Sequence, residues 1–142
     1  MNIKFLRKGA MMPTYGTAFS AGADLYACID APVTIEPGQT ISIPTGIAIE
    51  VPVGYAGLVY ARSGMACKRG LAPANKVGVI DSDYRGEVLI MLHNHGEYPQ
   101  TINSGDRVAQ LVITPVFTPE FQLVEELSDT ARGTGGFGST GK

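Results

Sequence analysis

Helix-length windows are scarce in this chain. Glycine and proline together make 27 of its 142 residues, where average usage would give roughly 17. Only the thirteen residues from Glu120 to Arg132 form a stretch longer than nine that is free of both. Helices average about 11–12 residues and strands about 5–6, so a helix bundle or a doubly wound α/β domain is excluded. A domain of many short strands and turns remains. A disulfide framework is also missing. Cys28 and Cys67 have neither paired spacing nor a CxxC partner, and they read as small core or surface thiols in a reducing cytoplasm. Charge of one sign is lacking too. The 11 basic and 13 acidic residues leave a net charge of −2 and a pI near 5.6, which provides no electrostatic footprint for duplex nucleic acid. No run approaches the ~18 apolar residues of a membrane span. Lys4, Arg7 and Lys8 interrupt the N-terminal apolar residues, so no signal-peptide hydrophobic region is expected.

What is present suits one domain that buries about two-thirds of its unfolded surface. Its 44% hydrophobic content argues against disorder. Thr14 to Ala27 is small and turn-rich. Strand character begins at Val33-Thr34-Ile35, and Pro37-Gly38 after it suits a type II turn. Ile41 and Ile43, then Ile47, Ile49 and Val51, alternate with smaller or polar residues, which implies one buried face. Pro44 and Gly46 interrupt this run, so an edge, a bulge or a bend is expected there. Further strands are expected at 54–60, 77–80, 87–92 and 108–113. The run 117–126 reads as a last strand or the one short helix. Eight to ten short strands closed on one another give a β-barrel or jelly roll.

The last eleven residues contain five glycines and one bulky side chain, too little apolar surface to hold themselves in place. Gly133 to Gly138 fits GxGxxG, but no helix can follow in the four residues left. Gly136 to Lys142 fits GxxxxGK, but the chain ends where the P-loop hydroxyl should stand. What remains is a disordered tail or an arm whose backbone N–H groups wrap phosphates. The segment Asp81-Ser82-Asp83-Tyr84-Arg85-Gly86 opens like a calcium loop, but Leu92 stands at position twelve, where a bidentate Glu is required. It is either a hairpin connection or a loop holding a carboxylate that orients a water. Arg62-Ser63-Gly64 is either a polar turn or an Arg and a hydroxyl aimed at phosphate oxygens. His93 and His95 share a strand face without acidic or Cys partners at metal spacing. Asp24, Asn75 and Gln110 say little individually.

Their joint order says more. Five segments appear in sequence: Ala21-Gly22-Ala23-Asp24-Leu25; Ala61-Arg62-Ser63-Gly64-Met65-Ala66; Gly78-Val79-Ile80-Asp81-Ser82-Asp83-Tyr84-Arg85-Gly86, with Asn75 just ahead; Gly105-Asp106-Arg107-Val108-Ala109-Gln110-Leu111; and the glycine-rich run from Arg132 to Gly141. Through them the chain resembles the trimeric dUTPases over residues 21 to 141. Met65 stands where that family often has Leu, a volume-conserving difference.

The resemblance implies an all-β, distorted jelly-roll barrel over 1–131 and a flexible arm over 132–142 that closes an active site. It also implies a homotrimer with sites at subunit interfaces. The implied reaction is dUTP plus water to dUMP plus pyrophosphate, which keeps uracil out of DNA and supplies dUMP for thymidylate synthesis. By this resemblance Asp81 is the catalytic aspartate that activates water for attack at the α-phosphorus. Arg62, Ser63, Gly64, Gln110, Arg132, Ser139 and Thr140 hold phosphates. Asn75, Gly78, Val79 and Ile80 read uracil, with Phe137 over it, and Tyr84 packs under deoxyribose. Mg²⁺ is the implied cofactor, held by the triphosphate and waters and touched by Asp24 only through water. Neither nucleic acid nor membrane is an expected partner. The related dCTP deaminases carry a catalytic Glu in the strand after the third segment, where this chain reads Leu89-Ile90-Met91-Leu92. A non-catalytic nucleotide-binding barrel is the other alternative, disfavoured by the intact Asp81 and complete arm.

Overall fold

A computed structural model describes residues 1–136; the expectations for Phe137, Ser139 and Thr140 lie outside the described residues. In chain order the strands are Asn2–Phe5 (β1), Thr14–Tyr15 (β2), Ala23–Tyr26 (β3), Val33–Ile35 (β4), Thr40–Glu50 (β5) and Tyr55–Tyr60 (β6). A helix, Ser63–Arg69 (α1), precedes Leu71–Pro73 (β7), Gly78–Ile80 (β8), Glu87–Asn94 (β9), Gln100–Ile102 (β10) and Arg107–Pro115 (β11). One sheet runs β1-β5-β9-β7, a second β2-β3-β11-β6-β8, and β10 pairs with β4. The larger sheets close on one core, with Leu25, Ile43, Ile49, Ile90, Leu92, Val108 and Leu111 almost wholly buried. This is an all-β, jelly-roll-like architecture.

The interrupted run is a bulge within a central strand rather than an edge. β5 lies between β1 and β9, and its register against β9 shifts between Pro44 and Ala48. Gly46 takes φ +70° there, and a Cβ would sit 2.9 Å from both Ala10 Cβ and Cys28 Sγ. The Gly46 N–H, taken out of the ladder, donates to Glu87 Oε1 at 2.8 Å. Glu87 therefore seals the bulge and also pairs with Arg7 at 2.9 Å.

Three expectations need correction. The helix lies at 63–69, whereas 117–130 contains neither helix nor strand. Local propensity could not reveal α1, because packing holds it. Met65 is buried in the core, and Arg69 donates to Gln100 Oε1 (3.0 Å) and Thr101 O (2.6 Å) of β10. Gly70, at φ +66°, ends it. The loop 81–86 is no hairpin connection, because β8 and β9 belong to different sheets. It is a crossover from one face of the barrel to the other. Finally, the turn-rich segment 14–27 contains two strands, β2 and β3, paired with each other.

Candidate functional site

The sequence-predicted residues gather in two clefts. The first, about 210 Å³, opens between β8 and β9 and is lined by Asn75, Gly78, Val79, Ile80, Asp81 and Tyr84, together with Pro73, Leu89 and Met91. Local geometry shapes it. Lys76 adopts φ +65°, and its N–H donates to Pro73 O at 3.0 Å; this tight turn sets Asn75 at the cleft. A Cβ on Gly78 would lie 3.3 Å from Asn75 Nδ2 and from Val59 Cβ, so glycine leaves the amide its room. The Tyr84 ring folds over Gly86, where a Cβ would fall 2.5 Å from its Cζ, and the phenol donates to Glu87 O at 2.9 Å.

Sequence reasoning did not assign Leu89 and Met91. β9 alternates, turning Val88, Ile90, Leu92 and Asn94 inward and leaving Leu89 and Met91 about half exposed toward this cleft. The signal was an apolar residue at every position of 88–92, more than one buried face requires.

The second cleft, about 580 Å³, is lined by Ser20, Gly22, Asp24, Arg62, Ser63, Gly64, Arg107 and Gln110. Its centre is Asp24, whose carboxylate accepts from Arg62 Nε at 2.6 Å and from Arg107 Nη1 at 3.2 Å. Two guanidiniums on one carboxylate leave the cleft with a surplus positive charge. Gln110 donates from Nε2 to Ala61 O at 2.9 Å. Gly22 makes way for it, since a Cβ there would meet Gln110 Oε1 at 2.5 Å. Arg107 belongs to the fourth motif but had no assigned role; β11 sets it opposite Tyr26 of β3, from where its guanidinium reaches the Asp24 carboxylate two residues away.

The two clefts share no lining residue. Register shows how far apart they lie. Gln110 pairs with Tyr60, whereas Ile80 pairs with Gly57, which sets Asp81 level with Ala56. Four residues along the strand and two strand spacings across give about 16 Å between the backbones of Gln110 and Asp81. Arg132 joins neither group: its Nε donates to Gly135 O at 2.8 Å within its own turn.

Among the described residues no three His, Cys, Asp or Glu side chains converge on a point. His93 and His95 stack edge to face at 4.3 Å, with His93 Nδ1 hydrogen-bonded to Thr40 Oγ1 at 2.8 Å. Partial desolvation, then His93 and Lys76, hold His95 below the ordinary histidine pKa. Both histidines lie outside the two clefts. No helix is long and apolar enough to cross a membrane among the described residues.

The dUTPase family model matches residues 8–141. The chain belongs to the dUTPase family. The deoxyuridine 5'-triphosphate nucleotidohydrolase of Desulfitobacterium hafniense is 54% identical, over 99% of this chain and 95% of that protein. The protein of the same name from Paraburkholderia phymatum is 50% identical, over 100% of this chain and 98% of its own. Among solved structures, the dUTPase of Staphylococcus bacteriophage 80alpha with dUPNHPP superposes with a TM-score of 0.91. It is 34% identical, covering 99% of this chain and 98% of that one. Both clefts fall inside the segment matched to the dUTPase family.

Proposed function

We propose that this chain hydrolyses dUTP to dUMP and pyrophosphate in active sites assembled between copies of itself. Membership of the dUTPase family supports the reaction. The observation that carries the assembly is the separation of the two clefts. One holds an amide, a tyrosine ring and the Asp81 carboxylate; the other holds two arginines, two serine hydroxyls and a glutamine. A base must come within hydrogen-bond reach of the attacking water, directly or through one more. At about 16 Å, Asp81 of one copy is better served by the arginine cleft of another. A ring of three copies closes such a head-to-tail contact. The segment after β11 supports it, since Phe117, Phe121, Leu123 and Leu127 lie 87–102% exposed, a large apolar surface for a copy left alone.

In this reading Asn75 and the backbone of Gly78, Val79 and Ile80 recognise the uracil edge, and Tyr84 packs against the deoxyribose and leaves no room for a 2′-hydroxyl. Asp81 orients a water and takes its proton as the oxygen attacks the α-phosphorus. Arg62, Ser63, Gly64 and Gln110 hold the phosphates, and their donors stabilise the charge that passes to the pyrophosphate. Both oxygens of Asp24 are engaged by arginines, so it would reach a cation only through water, which fits one that takes its ligands from substrate oxygens and water. Mg²⁺ bound there would neutralise charge on the leaving pyrophosphate. Arg132, Phe137, Ser139 and Thr140 belong to an arm, 132–142, that closes over the nucleotide beside the barrel of 1–131. A cytoplasmic setting suits the two free thiols, Cys28 and Cys67.

The test is a substrate panel in ¹⁸O-labelled water. Hydrolysis is expected with dUTP far ahead of dCTP, dTTP and UTP, and the label should appear in dUMP. Equal rates across the panel would refute the specificity, and label in pyrophosphate would refute attack at the α-phosphorus. Sedimentation at the assay concentration should give three copies.

A further inference from the structure

The crossover 81–86 carries two groups that must be placed accurately, Asp81 and Tyr84, yet it has little backbone support of its own. Among the described residues its one internal backbone hydrogen bond is Tyr84 N–H to Asp81 O, at 3.2 Å. A side chain supplies what the backbone does not. Arg85 Nη1 donates to Ser82 O at 2.7 Å and to Tyr84 O at 2.9 Å, drawing the two carbonyls on either side of Asp83 onto one nitrogen. Its other nitrogen, Nη2, lies 3.2 Å from Glu50 Oε1 at the end of β5. Glu50 is fixed in turn, because Asn2 Nδ2 of β1 donates to Glu50 Oε2 at 2.7 Å.

We propose that Arg85 is a positioning residue: anchored by Glu50, its guanidinium fastens the Ser82 and Tyr84 carbonyls and so fixes the loop that presents Asp81 and Tyr84. The proposal rests on the dUTP-hydrolysing reading of the first cleft. The planar fork of Arg suits it to several acceptors at once, whereas Lys offers a single point charge. With about half of both side chains in Arg85–Glu50 exposed, the pair contributes little to global stability. Its effect falls on placement. A misplacement of about 1 Å in a catalytic constellation costs about a hundredfold in rate. Tyr84 also governs discrimination between deoxyribose and ribose in this reading, so a loosened loop weakens that discrimination as well.

The experiment compares the full-length parent with Arg85→Ala and Arg85→Lys. For Arg85→Ala, kcat for dUTP should fall about tenfold to a hundredfold, the dUTP-over-UTP preference should shrink, and the thermal midpoint should stay near that of the parent. Arg85→Lys should recover only part of the loss. If Arg85→Ala keeps kcat and the preference within about twofold, or raises KM alone, as loss of uniform binding would, the proposal is overturned. Should Arg85→Ala not fold, Arg85→Lys decides: parental kcat and preference in that variant overturn it equally. Hydrogen exchange separates this outcome from failure of the functional reading. The Tyr84 amide, the one in 81–86 that donates a backbone hydrogen bond, should exchange at least about tenfold faster in the folded variant, with the sheets unchanged, whatever the protein hydrolyses. Unchanged exchange in that loop overturns the proposal, whereas a parent inactive on dUTP overturns the functional reading instead.

Discussion

Gly22→Ala tests whether the arginine cleft depends on where Gln110 stands. Gly22 has no left-handed φ, so alanine meets no backbone strain there. Its methyl would instead lie 2.5 Å from Gln110 Oε1, 3.2 Å from Cδ and 3.3 Å from Cβ. The side chain must swing away, which breaks its 2.9 Å hydrogen bond to Ala61 O, worth about 1 kcal/mol. Against that, alanine restricts the unfolded chain and returns about 0.4–1 kcal/mol. Stability should therefore change by less than about 1 kcal/mol. Activity should not escape so lightly. With Gln110 displaced from the phosphates, kcat/KM for dUTP should fall about tenfold to a hundredfold, or about 1.4–2.7 kcal/mol of transition-state stabilisation. The assay is a double-mutant cycle with Gln110→Ala, scored on kcat/KM and on thermal midpoint at fixed protein concentration. Because the clash is mainly with Gln110, Gly22→Ala should cost little once that side chain is gone. Additive losses in the double variant would refute the reasoning, as would full activity in Gly22→Ala alone.

Asp81→Asn keeps the shape of the first cleft but cannot take a proton, so single-turnover hydrolysis should vanish while equilibrium binding of dUTP persists. Asn94 is wholly buried; it donates to Ile35 O and Tyr98 O and accepts from Gly96 N–H, each at 2.9 Å. Asn94→Leu leaves these groups unpaired and should cost about 3 kcal/mol or more in urea unfolding. Hydrogen bonding from Asn2, then the charge of Arg85, holds Glu50 below the ordinary glutamate pKa. Its contribution is therefore present above about 4.3 and is lost as pH falls through the lower folded value. The stability gap between parent and Glu50→Gln should accordingly be small, as for an exposed pair, present at neutral pH and gone in acid. A chain cut before Arg132 should keep its circular dichroism and thermal midpoint but lose most dUTP turnover.

Alternation made β5 readable and short β-rich runs made β6 and β11 so, and Gly46 marked its bulge correctly. The helix was not, because Gly64 and Gly70 crowd a segment that is held in place by Met65 in the core and by the reach of Arg69 to β10. Local preference has no access to either. Residues of the first and third motifs each line one of the two clefts. What no linear reading could supply was which residues share a cleft. That depends on register: Gln110 opposite Tyr60 and Ile80 opposite Gly57 draw Asp81 away from the arginines. Arg107 and Met91 were missed for the same reason, since each acquires its role from the strand beside it.

The divided clefts also have a genetic consequence. If a working centre takes its carboxylate from one copy and its arginines from the next, a gene lesion at Asp81 and one at Arg62 damage different halves. Each allele alone yields an inactive enzyme. Expressed together, they assort into mixed rings in which an intact Asp81 from one product faces an intact Arg62 from the other. Two null alleles thereby complement within a single locus.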